Sequence, residues 1–348
     1  MKKCIILALL LFAVISFAAC GGGGNDNAGG GTGGGNAPAS GDPFVITIAH
    51  TAGEDSFFSA LTDAFTAYVD DNADGRIIVN TFPAGQLGGD RDLIEAVQAG
   101  DVTITMQSIG PQVSFVPGAV IFDYPFAYPT MEDFLRVVND ETFLELARAE
   151  YASAGFRLLG VGYNGHRALT SNFPVHTPAD VAGMNLRTME TTYHMAMWSG
   201  IGANPTPVPF TELYVALQQG LVDGQENPID LIFANRLYEQ QTHIIHTRHL
   251  PHANGLIMNL EFYNSLPDDL RAIVDAAAAA GLQAGLDFII NIIPIREAYF
   301  EDEHGITIIY LTPQQIEAFS EMAHEAREMV RNDTPAELLE AFYQARGF

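Results

Sequence analysis

The chain has 348 residues, of which 48% are hydrophobic, and its formal net charge at pH 7 is −26. This hydrophobic content is enough to fill the cores of two ordinary domains, so the composition excludes a disordered protein. The strong negative charge repels polyanions, which argues against nucleic acid and anionic lipid surfaces as partners of the folded body.

The first twenty residues are typical of an export signal. Lys2 and Lys3 precede an apolar run at 5–17 that is too short to span a bilayer comfortably, and Ala18-Ala19-Cys20 follows. We predict a signal peptide at residues 1–19. Cys20 resembles the lipidated cysteine of bacterial lipoproteins, with an ordinary free cysteine as the alternative.

Residues 20–43 are rich in Gly, Asn, Ser and Ala and nearly free of apolar side chains. This composition predicts a flexible linker that begins at the lipid anchor. We therefore predict an extracytoplasmic body that is attached to the cell membrane through its lipid anchor only.

The folded body begins with alternating strands and helices. We predict strands at 44–49, 77–79 and 102–106, with helices at 57–69 and 90–98. This order is typical of an α/β sheet with crossover helices. Beyond it we predict an irregular segment at 115–128, one helix at 130–149 that begins at Thr130, and a strand at 156–161.

The stretch 183–228 is the centre of the sequence. We predict a strand that ends on Arg187, a helix through Trp198, a second helix from Phe210 to Gly220, and a polar turn at 223–227. Farther along, we predict a strand at 256–260 and helices at 268–300 and 312–330. Pro294 is expected to kink or break the first of these two helices.

Three common enzyme motifs are absent from the sequence. The Gly-x-Ser-x-Gly, phosphate-loop and His-Glu-x-x-His patterns are all missing. With 42 acidic residues, carboxylate pairs such as Glu212 and Asp223 arise by chance and are weak support for a hydrolase. A cell-surface hydrolase with paired carboxylates is kept as the alternative function.

Four histidines recur at intervals of three, and they are the best metal-site candidate: His243, His246, His249 and His252. This spacing drifts round a helix and alternates between the faces of a strand, so it gathers the four rings on no single face. We interpret the four as a chance group of partly exposed and capping side chains, and we predict no metal and no cofactor.

Two arginines lie at the ends of apolar segments. Arg187 follows Met184-Asn185-Leu186, and Arg167 follows a strand at 156–161 and a turn at 161–166. A desolvated guanidinium needs an anionic partner, and its planar fork matches a carboxylate in two parallel bonds. On this evidence a bound anion and an internal ion pair are equally good interpretations.

Several motifs together resemble the solute-binding proteins of tripartite ATP-independent periplasmic (TRAP) transporters, which include dicarboxylate and sialate receptors. They cover nearly the whole mature chain in the family's order. The motifs are 83–91 (PAGQLGGDR), 123–126 (DYPF), 165–167 (GHR), 177–187 (TPADVAGMNLR), 202–205 (GANP), 212–220 (ELYVALQQG) and 222–228 (VDGQENP).

The resemblance implies a two-lobed binding protein with interleaved lobes, strands that cross between them and a long helix that spans both. Its lobe I is expected at 44–164 plus 253–292, and its lobe II at 165–252 plus 293–348. The ligand is expected in the cleft between the lobes, which close over it. The protein is then not an enzyme, and we expect a monomer.

The resemblance also implies the ligand-binding residues. Arg187 is expected to bind the ligand carboxylate in two bonds, with Arg167 and Asn227 completing that end of the pocket and Phe210 packing on the ligand. From the other lobe the resemblance implies contacts from His50, Asp90 and Ser108.

Two positions suggest the ligand class. Glu190 stands where sialate binders have Asn, and Ser108 stands where they have an acidic residue, which disfavours sialic acid. Glu190 suggests instead a hydroxy acid or sugar acid. The function that the resemblance implies is capture of a small organic acid and its delivery to the membrane permease subunits.

Overall fold

The computed structural model describes residues 41–347, so the predictions for the signal peptide, Cys20 and residues 20–40 of the linker lie outside the described part. The strands are β1 Phe44–Ala49, β2 Ile77–Phe82, β3 Ile104–Ser108, β4 Phe156–Ser171, β5 Asn185–Thr188, β6 Asn204–Pro207, β7 Gly224–Pro228, β8 His243–His246, β9 Pro251–Asn259 and β10 Thr307–Tyr310. The α-helices are α1 Phe57–Asn72, α2 Asp90–Ala99, α3 Ile109–Gln112, α4 Met131–Val138, α5 Glu141–Ser153, α6 Thr192–Ile201, α7 Leu213–Gln218, α8 Ile229–Ala234, α9 Leu260–Ser265, α10 Asp268–His304, α11 Pro313–Met322, α12 His324–Asp333 and α13 Ala336–Arg346. Short 3₁₀ helices lie at Pro117–Asp123, Pro178–Val181, Phe210–Glu212 and Leu237–Gln240.

The strands form one mixed sheet with two parallel regions. The strand order is β2-β1-β3-β9-β4-β7-β5-β6, with β8 paired to β4 and β10 paired to β8. In the first half, β1 runs parallel to β2 and β3; in the second half, β5 runs parallel to β6 and β7. The predicted α/β sheet is confirmed, and helices connect the parallel strands of each half.

The 16-residue strand β4 crosses from one half of the sheet to the other. It pairs with β9 in the first half and with β7 and β8 in the second. The predicted turn at 161–166 is therefore wrong. The chain has only an irregularity between Tyr163 and His166, where Gly165 takes a φ of +80° that favours glycine, and the strand then continues to Ser171.

The 37-residue helix α10 also links the two halves, because it contacts α1 in the first and β10 in the second. It is long and apolar enough to cross a membrane by length and composition alone. Leu270, Val274 and Ala277 are nevertheless buried in the core with residues of α1, which is the packing of a core helix.

Of the kink or break predicted at Pro294, the break is wrong, because α10 continues through this residue, and the kink stays a prediction. Proline removes the hydrogen bond to the carbonyl of Ile290. Pro294 is exposed and Ile290 is 50% exposed, so water can satisfy that carbonyl without breaking the helix.

Two long helices predicted as continuous are each divided in two. The segment 130–149 forms α4 and α5, since the Asp140 side chain accepts a hydrogen bond from the Phe143 backbone and caps a new helix. The segment 312–330 forms α11 and α12, which meet at Ala323. The predicted starts at Thr130 and Thr312 are confirmed, and both side chains cap their helices.

The segment predicted as a polar turn at 223–227 is instead the buried strand β7. It lies between β4 and β5, and all five of its residues are buried. Its polar side chains are stabilised by hydrogen bonds inside the protein, which the local sequence does not reveal. This strand places Glu226 and Asn227 beside Arg167, and it places Asn227 in the same cavity wall as Arg187.

Candidate ligand-binding site

A small cavity lies where the two halves of the sheet face each other. The carboxyl ends of β1 and β3 reach it from the first half, and those of β5 and β7 reach it from the second. Loops and helix starts after parallel strands are the usual position of ligands in such sheets. Eleven residues line it: Thr51, Phe58, Asp90, Gln107, Ser108, Arg187, Met189, Phe210, Asn227, Leu231 and His252.

Five of these eleven are residues that the sequence selected: Asp90, Ser108, Arg187, Phe210 and Asn227. They come from both halves of the sheet although more than 130 residues separate the first from the last. The cavity has a volume of about 20 Å³, which is room for about one water molecule. A bound organic acid therefore requires the walls to move apart and close again.

Arg187 is the basic side chain of this cavity. It is 1% exposed, its Nε donates to the Val208 carbonyl at 2.9 Å, and its Nη1 has no hydrogen-bond partner. The guanidinium carbon lies 5.9 Å from the centre of the Phe210 ring. Burial lowers the pKa of Arg187 to about 10, so the side chain still carries its charge at neutral pH.

Three arginines are each 1% exposed, and Arg187 differs from the other two. Arg167 forms an ion pair with the buried Glu226, and Arg296 pairs with the buried Asp230 and with Asp55 at 3.2 Å. Within residues 41–347, no carboxylate lies close enough to Arg187 to form an ion pair. The charges of Glu226, Asp90 and Glu190 favour the charged form of Arg187 without a direct ion pair. A bound anion would supply that direct partner and lower the cost of burying the cation.

Asp90 contributes a carboxylate to the same cavity. It is the first residue of α2, and its Oδ1 accepts a hydrogen bond from Thr51 Oγ1 at 2.8 Å. Burial raises the pKa of Asp90, while the Thr51 hydrogen bond and the charge of Arg187 act in the opposite direction. The positive end of the helix dipole also favours the carboxylate form.

Three other residues selected from the sequence do not line the cavity. His50 is buried behind it, with its ring centre 5.5 Å from that of Phe58. Glu190 is exposed to solvent. Arg167 donates from Nε and Nη2 to the Glu226 carboxylate and from Nη2 to Asn227 Oδ1 at 3.2 Å, so it fixes a cavity residue.

Glu226 is the centre of a buried polar network behind the cavity. Besides Arg167, its Oε2 lies 2.9 Å from His249 Nε2 and its Oε1 lies 3.5 Å from His194 Nδ1, at the limit for a hydrogen bond. His194 Nε2 is 3.1 Å from Asp123. Burial opposes ionisation of Glu226, but Arg167 and the two histidines hold its pKa well below the ordinary value.

Sequence reasoning missed this network and six residues of the cavity wall. Thr51 and Gln107 lie next to selected residues at strand ends, so their position was a usable signal. Glu226 stands in the motif 222–228, but one acid among 42 gives no indication of its partner. Nothing in the local sequence distinguishes Phe58, Met189 or Leu231 from ordinary core residues.

The four spaced histidines are not a group of partly exposed, capping side chains, so that interpretation is wrong in part. His243 and His246 on β8 are partly exposed, whereas His249 and His252 are fully buried. None of the four caps a helix, because they lie in β8, in β9 and in the loop between these strands. Among residues 41–347, no group of His, Cys, Asp or Glu is placed to hold a metal ion.

Known proteins share both the sequence and the fold. The family described as DctP, bacterial extracellular solute-binding protein, family 7, matches residues 48–332. The ectoine-binding periplasmic protein TeaA of Halomonas elongata is 32% identical over 303 residues, which are 84% of this chain and 87% of that protein. The chain belongs to family 7 of the bacterial extracellular solute-binding proteins.

Solved structures of TRAP receptors have the same architecture. The periplasmic ectoine-binding protein of the Halomonas elongata TeaABC TRAP transporter has a TM-score of 0.82 and 29% identity, covering 87% of this chain and 98% of its own. The sugar acid binding protein DctPAm of Advenella mimigardefordensis, solved with galactonate, has a TM-score of 0.82 and 26% identity, covering 88% and 98%.

Membership of family 7 confirms the two-lobed binding-protein fold and the general function. The protein is an extracytoplasmic solute receptor that works with the permease subunits of a TRAP transporter. The family consists of binding proteins, so the alternative of a cell-surface hydrolase is not supported. The cavity lies between the two halves of the sheet.

Proposed function

We propose that this receptor binds a small organic acid whose carboxylate pairs with Arg187 in the cleft between the lobes. The observation that carries the proposal is that Arg187 is fully buried, charged and without a carboxylate partner among the described residues. A ligand carboxylate supplies the missing counterion in the bidentate geometry that a guanidinium favours.

The other cavity residues complete the proposed site. Phe210 packs on the ligand, and Asn227 is held in place by Arg167. Asp90 and Ser108 contact the ligand from the opposite lobe when the cleft closes. Ligands named for the similar proteins, ectoine and galactonate, both carry one carboxylate, which supports this class of ligand.

The structure supports a positioning role for two of the residues that we expected at the ligand. Arg167 orients Asn227 and neutralises Glu226, and His50 packs behind Phe58. Glu190 is exposed and lies outside the cavity wall, so we leave it out of the proposed contacts.

A ligand panel with an Arg187→Met variant tests the proposal. Sugar acids, hydroxy acids, keto acids, dicarboxylates and zwitterions are screened by thermal shift, and the best ligand is titrated by calorimetry. Loss of two charge-assisted hydrogen bonds, about 1.5 to 3 kcal/mol each, predicts roughly 10² to 10⁴-fold weaker binding.

Arg157→Met is the matched control, because Arg157 is paired with Asp275 outside the cavity. This variant should bind the ligand with wild-type affinity. Removing the buried charge of Arg187 should not lower the melting temperature of the free protein. Wild-type affinity in the Arg187→Met variant would refute the proposed contact.

We also propose lipidation at Cys20, with 1–19 removed as a signal peptide and 20–43 as the linker. The support is the residue pattern Ala18-Ala19-Cys20. In a bacterial host, wild type should fractionate with membranes and Cys20→Ser should be released. Equal membrane association of both proteins would contradict the anchor.

The lobe bounds 44–164 plus 253–292 and 165–252 plus 293–348 also stay proposals, as does the monomeric state. The support for the bounds is that β4 and α10 are the elements that link the two halves of the sheet. Light scattering at the mass of one chain, with and without ligand, checks the monomer.

A further inference from the structure

The charges on the cavity wall define which organic acids fit, provided that the proposed function holds. Among the described residues that line it, Arg187 is the one cation and Asp90 is the one carboxylate. The remaining polar members are neutral. Burial lowers the pKa of His252 well below its ordinary value, so this imidazole is uncharged near pH 7.

Arg187 and Asp90 come from opposite lobes. Arg187 lies on β5 in the second half of the sheet, and Asp90 begins α2 in the first. Each favours the charged form of the other, but no ion pair joins them, so each keeps capacity for a direct partner. A ligand between them therefore meets a cation at one end and an acceptor at the other.

The Asp90 carboxylate only accepts hydrogen bonds, and several donors around it are already used. The Thr51 hydroxyl hydrogen is already directed to Asp90 Oδ1. Gln107 uses an amide hydrogen for Thr105 Oγ1 at 3.0 Å, and Asn227 uses one for Gln225 Oε1 at 2.5 Å. A ligand group at this end is best bound when it donates hydrogen bonds.

We propose that Asp90 determines specificity: the receptor takes monocarboxylates that carry a hydroxyl or ammonium group opposite the carboxylate, and it rejects dicarboxylates. Once the first carboxylate is paired with Arg187, the wall has no second cation to receive another. A second carboxylate would instead be desolvated beside Asp90, and like charges brought together in this way strongly weaken binding.

Calorimetry with matched acids tests the selectivity. Galactonate is compared with galactarate, in which a second carboxylate replaces the terminal CH₂OH group. In a shorter series, 4-hydroxybutyrate and 4-aminobutyrate are compared with succinate and butyrate. In wild type, each acid with a terminal donor should bind at least about 100-fold more tightly than its dicarboxylate counterpart. The tighter-binding ligand of 4-hydroxybutyrate and 4-aminobutyrate shows whether the preferred donor group is a hydroxyl or an ammonium.

The Asp90→Asn variant tests the residue itself. It keeps an acceptor for Thr51 but removes the charge. The preference for the acid with a terminal donor over its dicarboxylate counterpart should therefore fall at least about tenfold. Glu95→Gln makes the same charge change on the exposed face of α2 and should leave the ratio unchanged. Melting curves of the free variants confirm that both fold.

Each outcome decides between the two proposals. Dicarboxylates that bind wild type as tightly as their hydroxy counterparts, or an unchanged ratio in Asp90→Asn, overturn the specificity inference and leave the Arg187 contact standing. Failure of every carboxylate to bind wild type overturns the proposed function, and the inference falls with it.

Discussion

The buried arginines show how one residue type serves two purposes in this protein. Arg167 and Arg296 each have an internal carboxylate, and they connect strands and helices of the body. Arg187 has no such partner among residues 41–347 and faces the cavity between the lobes. The first two are therefore expected to stabilise the fold, and the third is expected to bind ligand.

Replacing Arg167 with methionine should destabilise the free protein by about 3 to 5 kcal/mol, because Glu226 would be left buried without its cation. Urea unfolding monitored by circular dichroism measures this loss. The double variant with Glu226→Gln should recover part of it. Equal stability of wild type and Arg167→Met would show that the pair contributes nothing.

The same experiment has a definite pH dependence. The folded protein holds the pKa of Glu226 well below its ordinary value of 4.5, so its contribution to stability is fully present above that value. It is lost as the pH falls through the lowered pKa of the folded state. The stability difference between wild type and Arg167→Met should therefore be largest near pH 7 and shrink in acid.

Sequence reasoning identified Arg187 because basic residues are rare here, with 16 among 348 residues. It could not distinguish Arg187 from Arg167, since the answer depends on sheet register. Ala168 pairs with Asn227 and Leu169 with Glu226 across β4 and β7, and this long-range pairing brings Glu226 to Arg167. Local residue patterns contain no information on that register.

Among the secondary-structure elements, β7 positions the part of the cavity wall that contains Asn227. It is held between β4 and β5, and close packing leaves no space at Gly224. A Cβ there would lie 2.1 Å from the Thr170 carbonyl oxygen and 2.3 Å from Met184 Cε. The requirement for glycine at this position follows from backbone proximity in the sheet.

Gly224→Ala should therefore cost about 1 to 3 kcal/mol of stability and also weaken ligand binding, because β7 must shift together with Asn227. Unfolding and calorimetry measure the two effects. Gly155→Ala is the control: its φ of +88° strains an alanine, but no atom lies within 4 Å, so binding should be unchanged. Wild-type affinity in Gly224→Ala would contradict this role of β7.

The errors in element prediction have local physical causes. The segment 223–227 is polar enough to be predicted as a turn, but its hydrogen bonds are made inside the sheet. The helix at 130–149 is divided because Asp140 caps a second helix. Helix α10 passes Pro294 at an exposed position, where the freed carbonyl belongs to the half-exposed Ile290. Periodicity detects the elements well, whereas tertiary contacts decide where several of them end.

For the whole molecule, the resemblance of scattered motifs predicted the two-lobed fold and the receptor function, and membership of family 7 confirms both. Composition alone marked no boundary between lobes, because β4 and α10 belong to both halves. The charge of −26 disfavours anionic ligands at long range, so capture of an acid must depend on a local, shielded cation.

The most direct test of that central claim is a double-mutant cycle between Arg187 and the ligand carboxylate. The tightest monocarboxylate and its methyl ester are titrated by calorimetry into wild type and Arg187→Met. We predict that the ester binds wild type at least about 100-fold more weakly than the acid, and that the variant binds both equally weakly. A variant that still prefers the acid over the ester by the wild-type factor would contradict the account.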